Sequence, residues 1–215
     1  MALGTIERRL LQRFADLLEY PRPGLVEVAR ECEGLAPLVA PSPVSGEGGA
    51  GDAAALLQAF RTYSETAPLG RLEELYSSTF DLGATCHPYV GYHLLGESYK
   101  RSVFLLELKA CYRAQGFEVP ENELPDHLAV MLRFLAANDD STLAAELVHE
   151  ALLPAIDRMT GRVKSEGYDE ERASMPLESP KPDHPYRQVL EALQLVLQEI
   201  PTSGMAAGNP QSAVV

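Results

Sequence analysis

Glu123-Leu124-Pro125-Asp126-His127 stands between two amphipathic helical runs, and that position decides the fold. Before it, Gly96 to Gln115 is the clearest helix of the chain. Val103, Leu106, Ala110 and Tyr112 to Ala114 recur there at helical spacing, and Gly116 is placed to end it. After it, Leu128, Met131, Leu132 and Leu135 mark a helix expected to start near Pro125. Proline suits a first helical turn because its missing N–H would have no intrahelical partner there. Asp126 then falls in that first turn, where the helix dipole favours a negative charge.

The same period extends in both directions. Ile6, Leu10, Leu11, Phe14, Leu17 and Leu18 form one stripe, stopped by Pro21 and Pro23, and Gly24 to Cys32 supports a short second helix. Pro37 to Asp52 is rich in Pro, Gly and Ser and reads as a mobile loop. Helical patterning resumes over Ala53 to Tyr63 and Leu72 to Phe80. Asp139, Asp140 and Ser141 offer N-caps to a helix carrying Leu143, Leu147, Leu152 and Ile156, with Pro154 kinking it or lying near its end. Gly161 to Pro182 reads as a long polar excursion, followed by a last helix from about Asp183 bearing Val189, Leu190, Leu193, Val196, Leu197 and Ile200. With no series of alternating strands and no fixed repeat, the expectation is an all-α protein with a single helical bundle. It should comprise a helical domain over 1–200, a mobile loop near 37–52 and a disordered tail over 201–215.

A chain of 215 residues with 46% apolar and 23% charged residues can bury a core without disulfide or metal staples. Its formal charge of −13 argues against a nucleic-acid partner and against an anionic membrane surface, since both are bound through Lys and Arg. A basic peptide is a natural partner for such a field, although acidity alone also keeps a protein soluble. Cys32, Cys86 and Cys111 form no CxxC pair and leave one thiol over in any pairing, as expected in a reducing compartment. Met1 to Leu11 carries Glu7, Arg8 and Arg9 within its apolar stretch, so no secretory core is expected there. No run approaches the ~20 apolar residues of a membrane span, and the expected compartment is the cytoplasm.

Two clusters carry candidate chemistry. Pro125, Asp126 and Glu123 alone would do no more than begin a helix; Glu123 and His127, four apart, can share a face. Between Leu72 and Lys100, Tyr76, Phe80, Pro88, Tyr89, Tyr92 and Tyr99 concentrate the aromatic residues. Tyrosines anchor peptides well through large area and one hydrogen bond, whereas Tyr76 and Phe80 suit ordinary core packing. Cys86, His87 and His93 include metal-ligating types without the paired spacing a site needs, so no metal and no cofactor are expected. Adjacent Asp126 and His127 on a helix point about 100° apart and make a poor relay, and no G-x-S-x-G, Walker A or G-x-G-x-x-G run is present. Catalysis is not expected.

Together, Glu123, Pro125, Asp126 and His127, in the form E-x-P-D-H, and the Pro88-Tyr89 step resemble the TorD/DmsD/NarJ family of chaperones for molybdenum enzymes. The wording Phe80-Asp81-Leu82-Gly83, Pro88-Tyr89-Val90-Gly91-Tyr92-His93, Gly96-Glu97, Tyr99-Lys100-Arg101 and Glu123 to Val130 is similar to the delta-subunit branch. That branch comprises NarJ-like assembly factors of nitrate reductase and relatives serving the type II dimethyl-sulfoxide-reductase group, and Tyr-Val-Gly-Tyr-His leans towards the latter. The resemblance implies an all-α bundle whose E-x-P-D-H segment joins two halves and recognises a client's leader peptide. It further implies a cytoplasmic, non-catalytic chaperone of the apo catalytic subunit. Such a chaperone holds that subunit, through its N-terminal segment, for insertion of the bis-molybdopterin guanine dinucleotide cofactor. It also delays membrane attachment or twin-arginine export. The implied client-binding residues are Pro88, Tyr89, Tyr92, Glu123, Pro125, Asp126 and His127, with no direct membrane insertion and a monomeric or dimeric state. The competing expectation is a small helical regulatory or scaffold protein in which the motif only caps a helix.

Overall fold

The computed structural model describes residues 3–41, 52–81, 86–163 and 179–201. Among them are ten α-helices, one π-helical segment and no strand. Among the described residues no helix is long and apolar enough to cross a membrane. The expected all-α bundle is borne out. All of the expected 201–215 tail but Pro201, most of the 37–52 loop, and Leu82 and Gly83 lie outside the described residues.

Helix α1 (Thr5–Leu17) buries Leu10, Leu11, Phe14 and Leu17 as its stripe dictates, and its end leads directly to Pro21. Helix α2 spans Leu25–Val39, longer than expected, with Pro37 in its last turn. Proline costs a helix little there. It forfeits one backbone bond, its ring faces solvent, and the Ala40 N–H still closes on the Ala36 carbonyl. The loop therefore begins beyond Val39 and not at Pro37.

Helices α3 (Ala53–Thr66) and α4 (Leu69–Phe80) follow, α3 started by the Asp52 carboxylate accepting from the Ala54 and Ala55 N–H groups. A short helix, α5 (Val90–Leu95), ends at Gly96 with φ +61°, so the next helix, α6, runs Tyr99–Ala114 and not from Gly96. Gly116 (φ +69°) takes the left-handed turn after α6, as its position predicts. Helix α7 (Leu128–Ala137) begins three residues after Pro125, with His127 as its N-cap; Asp126 thus precedes the helix and does not lie in its first turn.

Asp140 caps α8 (Ser141–Glu146) through bonds from the Thr142 and Leu143 N–H groups. The chain runs on as a π-helical segment (Leu147–Leu152) into α9 (Leu153–Met159). Pro154 is the physical reason for that widened turn. It has no N–H for the residue 150 carbonyl and its ring crowds that oxygen, and the Leu153 N–H reaches back five residues to Val148. Helix α10 (Pro185–Gln198) closes the fold with Val189, Leu190, Leu193, Val196 and Leu197 fully buried.

The core sits where α1 meets α2 and α7, and where α3 meets α2 and α10. Phe14, Leu57, Phe60, Met131, Leu132 and Phe134 are shut off from solvent, each contributing roughly 1.5–3 kcal/mol by burial. An aromatic knot of Phe60, Tyr76, Phe80 and Tyr186 ties α3 and α4 to α10. Tyr76 and Phe80 thus belong to the core, as ordinary packing would have it. On the opposite flank α5 packs on α9 and carries α6.

Candidate functional site

The two sequence blocks meet in space. The Val90 N–H donates to the Asp126 carbonyl at 2.8 Å, and the Leu128 N–H donates to the Pro88 carbonyl at 2.8 Å. These two bonds make an isolated antiparallel bridge between Tyr89 and His127. Pro88 suits its place because the bridge asks it for an acceptor and no donor. The bridge fixes Tyr89 over the E-x-P-D-H segment, where its hydroxyl donates to Glu123 Oε1 at 3.3 Å and its ring meets His127 edge-on. Partial burial and the Glu123 carboxylate push the Tyr89 phenol up to about 12.

Asp126 is fully buried. Arg101, reaching down from α6, places Nε and Nη2 each 3.1 Å from Asp126 Oδ2. Its guanidinium also lies over two rings, 5.5 Å from the centroid of Tyr89 and 5.7 Å from that of Tyr92. Burial pushes the Asp126 carboxyl up, while Arg101 and the Asp126 and Gly91 backbone N–H groups pull it back. Gly91 is required at this point. A Cβ there would stand 2.8 Å from Asp126 Oδ2 and 2.9 Å from the Phe104 ring. The backbone of α5 therefore approaches Asp126 as closely as only a glycine allows.

His127 acts as a cap. Its Nδ1 accepts from the Ala129 N–H at 3.2 Å, which leaves the proton of the neutral ring on Nε2, 3.9 Å from Glu123 Oε2. Burial lowers its basicity, against the opposing pull of Glu123, Glu19 and Asp126. Glu19 at the end of α1 in turn holds Arg133 of α7, which also binds Asp16 at 3.0 Å. Pro125 is buried, and its carbonyl accepts from the Tyr112 hydroxyl at 2.9 Å. Glu123 stays partly exposed and accepts from the Leu124 N–H at 2.9 Å, shaping the turn.

Of the seven residues singled out in the sequence, Pro88, Pro125, Asp126 and His127 are buried, and Tyr89, Tyr92 and Glu123 face partly outward. All seven belong to one junction joined by the bridge and the Arg101 clamp. The residue that sequence reasoning did not single out is Arg101. A signal existed: Arg101, Leu108 and Tyr112 share one face of α6 at spacings of seven and four, so a cation stands in line with the buried positions of that helix.

The neighbouring Cys86, His87 and His93 make a different arrangement. His93 Nε2 lies 2.7 Å from the His87 carbonyl oxygen and 4.0 Å from Cys86 Sγ, while the His87 ring packs on Tyr92. Burial lowers His93 to about 4 and pushes Cys86 up to about 12. A neutral imidazole and an un-ionised thiol make packing groups, not nucleophiles. Among the described residues no group of three or more His, Cys, Asp and Glu side chains is placed to hold a metal ion. Arg158 of α9 donates to the His93 carbonyl at 2.7 Å and fastens α5 to the rest of the fold.

The family described as nitrate reductase delta subunit matches residues 47–161, a stretch that contains both blocks of the junction. The chain is 32% identical over 157 residues to the probable nitrate reductase molybdenum cofactor assembly chaperone NarJ of Bacillus subtilis, covering 73% of this chain and 75% of that one. It is 38% identical over 61 residues to the nitrate reductase molybdenum cofactor assembly chaperone NarJ of Escherichia coli K12, covering 28% of this chain and 26% of the relative. With both the family match and the Bacillus relative spanning the helices that build the junction, the chain belongs to the nitrate reductase delta subunit family.

Proposed function

We infer that this protein is a maturation chaperone that binds the cofactor-free catalytic subunit of a molybdoenzyme, and that it catalyses no reaction of its own. The observation that carries this reading is the likeness to the NarJ assembly chaperone of Bacillus subtilis over 73% of the chain. The client is a nitrate reductase or a type II dimethyl-sulfoxide-reductase-group enzyme, and the segment bound is its N-terminus. The protein works in the cytoplasm, in keeping with three cysteines that all remain free thiols.

The docking face centres on Tyr89, Tyr92 and Glu123, held in place by Pro88, Pro125, Asp126 and His127. The partly exposed tyrosine rings offer area, and Glu123, bonded to the Tyr89 hydroxyl, offers a carboxylate suited to a basic peptide. The work done is by mass action. A protein that binds the open, cofactor-free subunit and not the filled one holds the former until the cofactor arrives, and filling the subunit releases the chaperone.

Copurification with a candidate catalytic subunit tests the reading. A cofactor-depleted subunit captured by the wild-type chain, and lost with Tyr89→Ala or Glu123→Lys in a folded variant, is the expected result. No capture beside an expressed subunit would leave a helical scaffold whose motif only caps α7. Capture of the cofactor-loaded form alone would make the protein a lasting accessory subunit.

A further inference from the structure

Helix α6 carries a second apolar stripe that the fold does not use. Tyr99, Val103, Leu106 and Ala110 recur at spacings of four, three and four, so they lie in one line along the helix. That line is opposite Leu108 and Tyr112, the two buried residues of α6. Tyr99 is 83% exposed and Leu106 68%, the two most exposed large apolar side chains among the described residues. Lys109 and Arg113 flank the stripe on one side and Lys100 on the other, with Glu107 as the helix's only carboxylate. These three cations are exposed, and none makes an ion pair among the described residues. In a chain of formal charge −13, the outer face of α6 is thus both apolar and locally basic.

We propose that this outer face of α6 is a second docking surface, and that it takes an acidic amphipathic helical segment of the client catalytic subunit. The proposal rests on the chaperone reading above and adds a contact distinct from the Tyr89–Glu123 face. An exposed apolar line three turns long, edged by unpaired cations, is matched by a helix with apolar residues at the same spacing flanked by Asp and Glu. A second copy of this chain fits less well, because pairing two α6 stripes would gather the flanking cations of both copies, Lys100, Lys109 and Arg113, against only the Glu107 carboxylates.

The test places a photo-crosslinking residue at Leu106 of the full chain in its complex with the catalytic subunit, and maps the adducts by mass spectrometry. Adducts on an Asp- and Glu-rich helical segment outside the subunit's N-terminus are expected. The paired variant Lys109→Glu with Arg113→Glu should weaken the complex by about tenfold or more, while Lys109→Arg with Arg113→Lys retains it. Adducts on a second copy, on another segment of the same chain or on a basic segment would overturn the proposal. So would unchanged affinity in the charge-reversed variant. If the wild-type chain forms no complex with the subunit, the chaperone reading itself fails; wild-type binding untouched by the α6 changes removes the second surface alone.

Discussion

Helices α6 and α7 flank the same five residues in opposite circumstances: α7 buries eight of its ten residues, α6 two of its sixteen. Helix α7 lies against α1 in the middle of the core, so its sequence answers to packing. Helix α6 is held from one side only, by the Tyr112 ring against Phe117 and Phe134 and by the Arg101 clamp on Asp126. Phe104 and Cys111 also lean on the core, while the helix's outer line, Tyr99, Leu106 and Ala110, stays exposed. Neighbouring helices can therefore report on different things, one on stability and the other on partners.

The largest test of that contrast is Phe134→Ala in α7, which empties a fully enclosed site between Tyr112 and Phe117. Urea unfolding should register a loss of about 3–5 kcal/mol, and a loss below about 1 kcal/mol would contradict a tightly packed α7. Arg101→Ala comes next. It strands the Asp126 carboxylate in the interior and should cost about 3 kcal/mol at neutral pH. Its pH dependence is the diagnostic part. Burial already raises the Asp126 pKa, and removing Arg101 raises it further, so the folded variant binds a proton more readily than the unfolded chain. Its deficit should shrink as pH falls, whereas a deficit independent of pH would mean Arg101 acts by packing alone.

His93 probes α5, the platform on which α6 rests. Its folded value of about 4 lies below the ordinary 6.5, so the unfolded chain binds the proton first. Stability should fall as pH drops through that window, by up to about 3 kcal/mol, and His93→Gln should flatten the fall. An unchanged profile in the variant would assign acid sensitivity to His127 or His184, which burial lowers in the same sense. The smallest effect belongs to the outer face of α6. Leu106→Ser should leave stability within about 0.5 kcal/mol of the wild type, and a larger loss would mean that the stripe is packed after all.

Much of this was legible from spacing. The stripes of α1, α7 and α10 identified their buried faces, Gly116 ended α6, and Asp140 capped α8. Periodicity failed where a helix is apolar on two faces. Val103, Leu106 and Ala110 obey the helical repeat as well as Leu108 and Tyr112 do, and spacing alone does not say which line the core claims. Proline misled twice for one reason. Pro37 and Pro125 each mark where a helix can tolerate a lost N–H, yet Pro37 sits inside the end of a helix and Pro125 ahead of a start. At the site, the residue types were readable, but their meeting was not. Pro88 and Leu128, 40 positions apart in the chain, are joined by a main-chain bond, and no local pattern announces such a pairing.

That pairing has an evolutionary consequence. Because the joint between Tyr89 and His127 is written in backbone amides and carbonyls, most side chains around it can change without undoing it. Gly91, pinched between Asp126 and Phe104, is bound to its place by space, and Asp126 by its clamp to Arg101. A lineage of such proteins can redecorate the rim, trading one tyrosine or carboxylate for another to suit a new client, while the hinge that presents the rim is inherited intact.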